Sequence, residues 1–167
     1  DPYAGLDPRF FMTVVKNGDI WPNYNPNPIE TFIGGLNAAP IHNSTPTGYY
    51  LRKYCDPNVS LATNNPTTSP HAWVAMRLGE FYLNYAEAMF QYYGDAEVKG
   101  EGDFSANDAI NLLRDRADVM MPHWSGTPAN WFERYKRERM VEMAFEDQRF
   151  WDVRRWKCGS ELSEISI

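Results

Sequence analysis

Near Pro70 the apolar period of this chain changes, and the two sides of that change must fold differently. From Asp1 to Pro70 the sequence is dense in Pro, Gly, Asn and Thr, and its apolar runs are too short for helices. Beyond Pro70, Leu78, Phe81, Tyr82, Tyr85, Met89 and Tyr92 recur at three- and four-residue steps, with Arg77, Glu80, Asn84, Glu87 and Gln91 on the opposite stripe. This spacing predicts an amphipathic helix of about five turns, closed near Gly94. A second helix is expected from Ser105, a good N-cap that Asp108 can reach back to, burying Ala106, Ala109, Ile110, Leu113 and Ala117.

Those two helices should pack as an antiparallel hairpin. The unit from Trp73 to Ala117 has the character of a tetratricopeptide-like repeat, with Tyr85-Ala86-Glu87-Ala88 in its first helix. Thr127-Pro128 then offers a cap followed by Pro at the first helical position, for a helix from about Ala129 to Phe145. A shorter helical stretch, Gln148 to Trp156, should follow a bend near Asp147. In the first half Phe10 to Val15 reads as a strand, Asn17-Gly18 as a tight turn, Ile20-Trp21 as the returning partner, and Tyr49 to Tyr54 as a second strand. Pro22, Pro26, Pro28, Gly34, Gly35 and Pro40 favour an extended, ordered loop between them. The expected fold is mainly α, with TPR-like helical-hairpin packing, a loop-rich apron and a small β-hairpin. Within one domain portion we expect a loop-rich segment over 1–70, a helical segment over 71–158 and a tail over 159–167.

An apolar content of 43% supports a single core. A formal net charge of −6 opposes attraction to phosphate backbones and excludes nucleic acid as the expected partner. Aromatic residues reach 15%, with 6 Trp and 10 Tyr, more than a core of this size requires, and surplus rings often serve ligands or interfaces. Two cysteines, Cys55 and Cys158, cannot make a disulfide framework; one long-range bridge stays open, subject to a Cα separation under roughly 7 Å. No apolar run approaches the length of about 20 residues that spans a bilayer. The chain opens at Asp1 with neither initiator Met nor signal peptide, and it reads as processed or excised from something longer.

Five ordered stretches carry a resemblance. Asp7-Pro8-Arg9-Phe10, then Asn17-Gly18 followed by Trp21, then Thr47-Gly48-Tyr49-Tyr50-Leu51-Arg52-Lys53-Tyr54 resemble, in this order, the middle part of SusD-like (RagB/SusD family) proteins. The helix Glu80-Phe81-Tyr82-Leu83-Asn84-Tyr85-Ala86-Glu87-Ala88 resembles that family's most recognisable helix. The run through Arg137, Arg139, Val141, Glu142, Ala144-Phe145-Glu146, Arg149-Phe150, Asp152 and Arg154-Arg155-Trp156 resembles its late signature, with Asp147 where many members have Gly. Family members are considerably longer, so the chain resembles a middle to C-terminal portion. The resemblance implies a cell-surface, outer-membrane lipoprotein that holds a glycan for import through a SusC-like TonB-dependent transporter. Its membrane attachment would run only through a lipid anchor absent from this chain, and catalysis is no part of the role.

Sugar rings present apolar C–H faces to aromatic planes, and amide or carboxylate side chains take their hydroxyls. Trp21, Tyr24 and Asn25, in the Pro-rich loop, are one candidate carbohydrate-binding surface; the structural alternative is that Trp21 plugs the loop onto the helices. His123 and Trp124, in the turn segment Met121 to Pro128, are the other. Trp131 and Trp151 are expected in the core, while His71 and Trp73 fit either role. The ladder Glu138, Glu142, Glu146 has the paired carboxylates that a glycoside hydrolase requires, but the interleaved Arg134, Arg137, Arg139, Arg149, Arg154 and Arg155 point to ion pairs instead. His42, His71 and His123 have no spacing that sets two on one helical face, so no metal is expected. Gly100-Glu101-Gly102 lacks the rest of a nucleotide loop, and no cofactor is expected. The rival functional reading is a helical scaffold whose rings are buried against the rest of a parent chain or a partner.

Overall fold

In the computed structural model, which describes residues 1–22, 27–60 and 64–162, the chain runs α1 (Pro8–Thr13), β1 (Val14–Val15), β2 (Tyr50–Leu51), α2 (Leu78–Tyr93), α3 (Ala106–Arg114), α4 (Trp131–Glu142) and α5 (Gln148–Arg155), closing in a 3-10 turn (Gly159–Leu162). The fold is mainly helical with one small antiparallel sheet, as expected. Two compact units divide it: a helical unit of residues 1–10 and the described residues from 74 onward, and a loop unit of residues 11–73.

Helix α2 closes where the sequence places its end. Gly94 takes the left-handed conformation (φ 69°) and its N–H reaches the Phe90 carbonyl. Its buried face differs from the apolar stripe, however. Leu83 and Ala86 face the core together with Gly79, Glu80 and Glu87, whereas Leu78, Phe81 and Tyr92 are exposed. Burial of a carboxylate is tolerable only with partners, and Glu87 has three: Arg155, the Trp156 indole N–H at 2.8 Å and the Tyr135 hydroxyl at 3.0 Å.

α3 packs on α2 and begins with the capping box read from the sequence. The Ser105 hydroxyl accepts from the Asp108 N–H at 3.1 Å, and the Asp108 carboxylate accepts from the Ser105 N–H at 2.9 Å. The helix stops at Arg114, which leaves Ala117 exposed beyond it. α4 begins at Trp131, not at the Thr127-Pro128 cap. The Thr127 hydroxyl is engaged elsewhere, donating to Asp95 at 2.5 Å and accepting from the Ala96 N–H at 2.8 Å, so it pins the α2–α3 connection. The expected bend after α4 is made by two left-handed residues, Phe145 (φ 61°) and Asp147 (φ 60°). Much of the aromatic surplus is core: Trp131 lies between Phe90 at 4.2 Å and Tyr135 at 5.6 Å, ring to ring. Trp151 was expected there too but is 64% exposed on α5.

In the loop unit β1 pairs with β2, Val14 opposite Leu51 and Val15 opposite Tyr50, rather than with Ile20-Trp21. Phe10 to Thr13 are helical, so the expected first strand shrinks to two residues. The turn does form, with the Asp19 N–H on the Lys16 carbonyl at 3.2 Å. Only Gly18 (φ 86°) adopts positive φ in it. A tight hairpin of type I′ needs positive φ at both central residues, and other turns splay the strands apart. The chain therefore leaves toward Ile29, which exchanges bonds with Gly18 and Asp19, both at 2.8 Å. The Pro-rich connection is ordered by its own polar groups: the Glu30 N–H bonds the Asn37 side chain at 3.0 Å, and the Asn37 N–H returns to the Glu30 carbonyl at 2.9 Å. Among the described residues of the loop unit, Val15, Ile29 and Ala38 are the buried apolar ones. Both cysteines are free thiols, Cys55 exposed and Cys158 buried.

Candidate functional site

The loop unit holds a cleft of about 840 Å³. Its walls carry Trp21, Ile29, Ile41, Tyr50, Leu51 and Val59, and polar groups come from Asn37, His42, Asn43, Ser44 and Asp56. An apolar concavity with a few convergent polar groups is the usual form of a small-molecule site. Trp21 is partly buried here, with the Arg52 guanidinium 5.6 Å from its ring centroid. Arg52 is fixed in turn by Asp19 at 2.9 Å, which Lys16 also holds at 2.7 Å. Burial alone would raise the Asp19 carboxyl, but hydrogen bonds from Lys16 and Arg52 hold it below its ordinary value. The Tyr50 hydroxyl is held by two bonds: it donates to the Asn37 carbonyl at 2.7 Å and accepts from the Thr45 N–H at 3.1 Å. Tyr24 and Asn25 lie outside the described residues.

The second candidate pair divides. Trp124 is 7% exposed, packed edge-on to Trp131 at 5.9 Å, with the Arg134 guanidinium 4.3 Å from its centroid. Its backbone is clamped on both sides by Asn111, whose Oδ1 accepts the Trp124 N–H at 2.7 Å and whose Nδ2 donates to the Trp124 carbonyl at 2.9 Å. Trp124 is thus a core residue of the helical unit and not a stacking surface, because Asn111 draws its turn inward. His123, its neighbour, is exposed and paired with Asp115.

The glutamate ladder is consumed by arginines. Glu138 takes Arg9 at 2.8 Å and Arg114 at 2.5 Å; Glu142 takes Arg9 at 3.1 Å, Arg77 at 2.8 Å and Arg116 at 2.6 Å; Glu146 takes Arg77 at 2.7 Å. Burial pushes the Glu142 carboxyl up, and the Arg77 hydrogen bond with the charges of Arg116 and Arg77 outweighs it, leaving Glu142 below its ordinary value. A general acid requires the opposite shift.

One cluster has no clear signature in the sequence. Trp73 stacks on Tyr54 (ring centroids 5.2 Å, interplanar 26°), and His71 meets the same ring edge-on at 5.9 Å. Tyr54 is held at φ 68°, a left-handed conformation costing on the order of 1–3 kcal/mol in a bulky residue. From the sequence, His71 and Trp73, just ahead of α2, fit either a site or a core role. Nothing local reveals that Tyr54 turns to meet them. Among the described residues no group of His, Cys, Asp and Glu could hold a metal ion, and no helix is long and apolar enough to cross a membrane.

The model of the SusD family matches residues 1–164. The crystal structure of a SusD-like protein from Bacteroides fragilis NCTC 9343 is similar to this chain at 30% identity and a TM-score of 0.70, over 95% of this chain and 29% of that one. No curated protein matches the chain at a significant level. The chain therefore spans less than a third of the solved relative's length. Matched over nearly all of its residues, and sharing the helical packing and ordered motifs described above, the chain belongs to the SusD family.

Proposed function

We propose that this chain is the glycan-capturing portion of a cell-surface, outer-membrane lipoprotein, which holds an oligosaccharide for a SusC-like TonB-dependent transporter and performs no catalysis. Family membership supports nutrient binding, and the observation that carries the reading to particular residues is the Trp21–Tyr50 cleft of the loop unit. There an indole and a fixed phenol offer ring planes beside the amides of Asn37 and Asn43. Tyr24 and Asn25 are proposed carbohydrate contacts on their closeness to Trp21 in sequence alone, and His123 is a separate exposed candidate. The ladder of bound carboxylates favours capture over hydrolysis. Titration of soluble oligosaccharides and polysaccharides against the chain, followed by Trp fluorescence, tests this. We expect a saturable, sugar-specific change that Trp21→Ala abolishes and Trp124→Phe leaves in place. Silence across the panel would refute glycan capture by this chain.

A second reading, a helical association module, is favoured by one observation. Phe145, Phe150 and Trp151 are exposed around a recess of about 590 Å³ at the α4–α5 bend. If that patch is the working surface, Trp151→Ser will abolish self-association or partner capture while leaving sugar titrations unchanged.

A further inference from the structure

We propose that the cleft and the Tyr54–Trp73 pair form one extended site for a neutral glycan chain, with rings near Trp21 inside the cleft and an outer ring on Trp73. This inference rests on the glycan-capture reading above and deepens it by naming the ligand's length and charge class.

Three observations join the pair to the cleft. Tyr54 immediately precedes Cys55 and Asp56, both of which line the cleft wall. Asp56 is hydrogen-bonded by Ser69, so the segment that carries Trp73 is tied to that wall. His71 in turn abuts the Tyr54 ring. One face of the Trp73 indole is covered by Tyr54, yet the residue is 60% exposed, which leaves the other face open to a ring of the ligand. The stack is formed before any ligand arrives, so its side chains have little rotamer freedom left to lose on binding.

Length follows from the geometry. The cleft is open and of small-molecule size, so a glycan longer than a few rings must continue out of it, and the exposed pair stands beside its Asp56 wall. Charge class follows from the lining. Asp56 is the one carboxylate among the described residues of the cleft, and the nearby cation, Arg52 over the Trp21 ring, is already paired with Asp19 at 2.9 Å. A uronate would meet a like charge at Asp56 and a guanidinium whose charge Asp19 already offsets.

The test is calorimetric titration of the full chain with dimers and hexamers of α-1,4-glucan, β-1,4-glucan and β-1,4-xylan, together with a galacturonate hexamer. We expect the hexamer of at least one neutral series to bind about tenfold tighter than its dimer, the scale of one aromatic stacking contact. Trp73→Ala should bring the hexamer to dimer ratio close to one and leave dimer affinity as it was, whereas Trp73→Phe, which keeps a ring, should retain most of the ratio. An unchanged ratio in Trp73→Ala, with dimer binding lost in Trp21→Ala, would overturn the extension and spare glycan capture. Galacturonate binding as tight as the best neutral hexamer would overturn the charge class. If the wild-type chain binds no member, glycan capture fails and this inference fails with it.

Discussion

Trp124 shows how one polar side chain decides the role of an aromatic. Asn111 bonds both the N–H and the carbonyl of Trp124, and Arg134 closes over its ring. The indole has become structural, and its truncation should cost what loss of a large core ring usually costs, about 3 to 5 kcal/mol. Urea denaturation of Trp124→Ala, followed by far-UV circular dichroism, measures this; a loss below about 1 kcal/mol would mean the ring is dispensable to the core. Asn107 works on a neighbouring ring. Its Oδ1 accepts the Trp131 indole N–H at 2.8 Å while its Nδ2 donates to the Gly126 carbonyl at 2.9 Å, so a buried indole is satisfied without water.

At the scale of elements, the start of α3 is the most local of the helix signals. Ser105→Ala removes an acceptor from an otherwise unpaired first-turn N–H and should cost about 1 kcal/mol; Ser105→Asp, which keeps an acceptor, should recover most of it in the same denaturation series. Wild-type stability in Ser105→Ala would show that the box contributes nothing. Signals of this range, a few residues along the chain, were legible: the capping box, the Gly94 stop and the bend at Asp147 all stand where the residues place them. What could not be read depends on distant partners. Thr127 has the form of a cap, but its hydroxyl meets Asp95 across 32 positions of sequence. Glu87 has the form of a solvated position on α2, but Arg155 lies 68 positions away and brings it into the core. The β1 partner was misread because periodicity cannot tell that Asn17 keeps negative φ. Trp21 was legible as a site candidate from its loop, whereas the Tyr54–Trp73 pair was hidden by a backbone conformation that Tyr rarely adopts.

Across the whole molecule, negative charge is in excess, yet many of the buried carboxylates of the helical unit are bound to arginines. Each such pair costs desolvation, and the unit is committed to keeping the partners together. Arg9 and Arg77 reach Glu142, the last residue of α4, from two separate stretches of chain, and Arg116 adds a third. Glu142 and Glu87 both lie below the ordinary glutamate value of 4.5 in the folded protein, because arginine contacts outweigh the opposing effect of burial. A carboxylate depressed on folding binds fewer protons in the native state than in the unfolded chain. Its stabilisation is therefore complete above the unfolded value and is lost as pH falls through the folded one. Thermal melts followed by circular dichroism should be flat from pH 8 to pH 6 and fall steeply below about pH 4.5, where the unfolded chain begins to take up protons. Glu142→Gln should lower stability at pH 7 by about 3 to 5 kcal/mol, since it leaves buried guanidinium groups short of a partner, and should flatten the acid limb. Melts that stay level to pH 3, or an acid limb equally steep in Glu142→Gln, would show that the arginine lattice is not what holds the helical unit together.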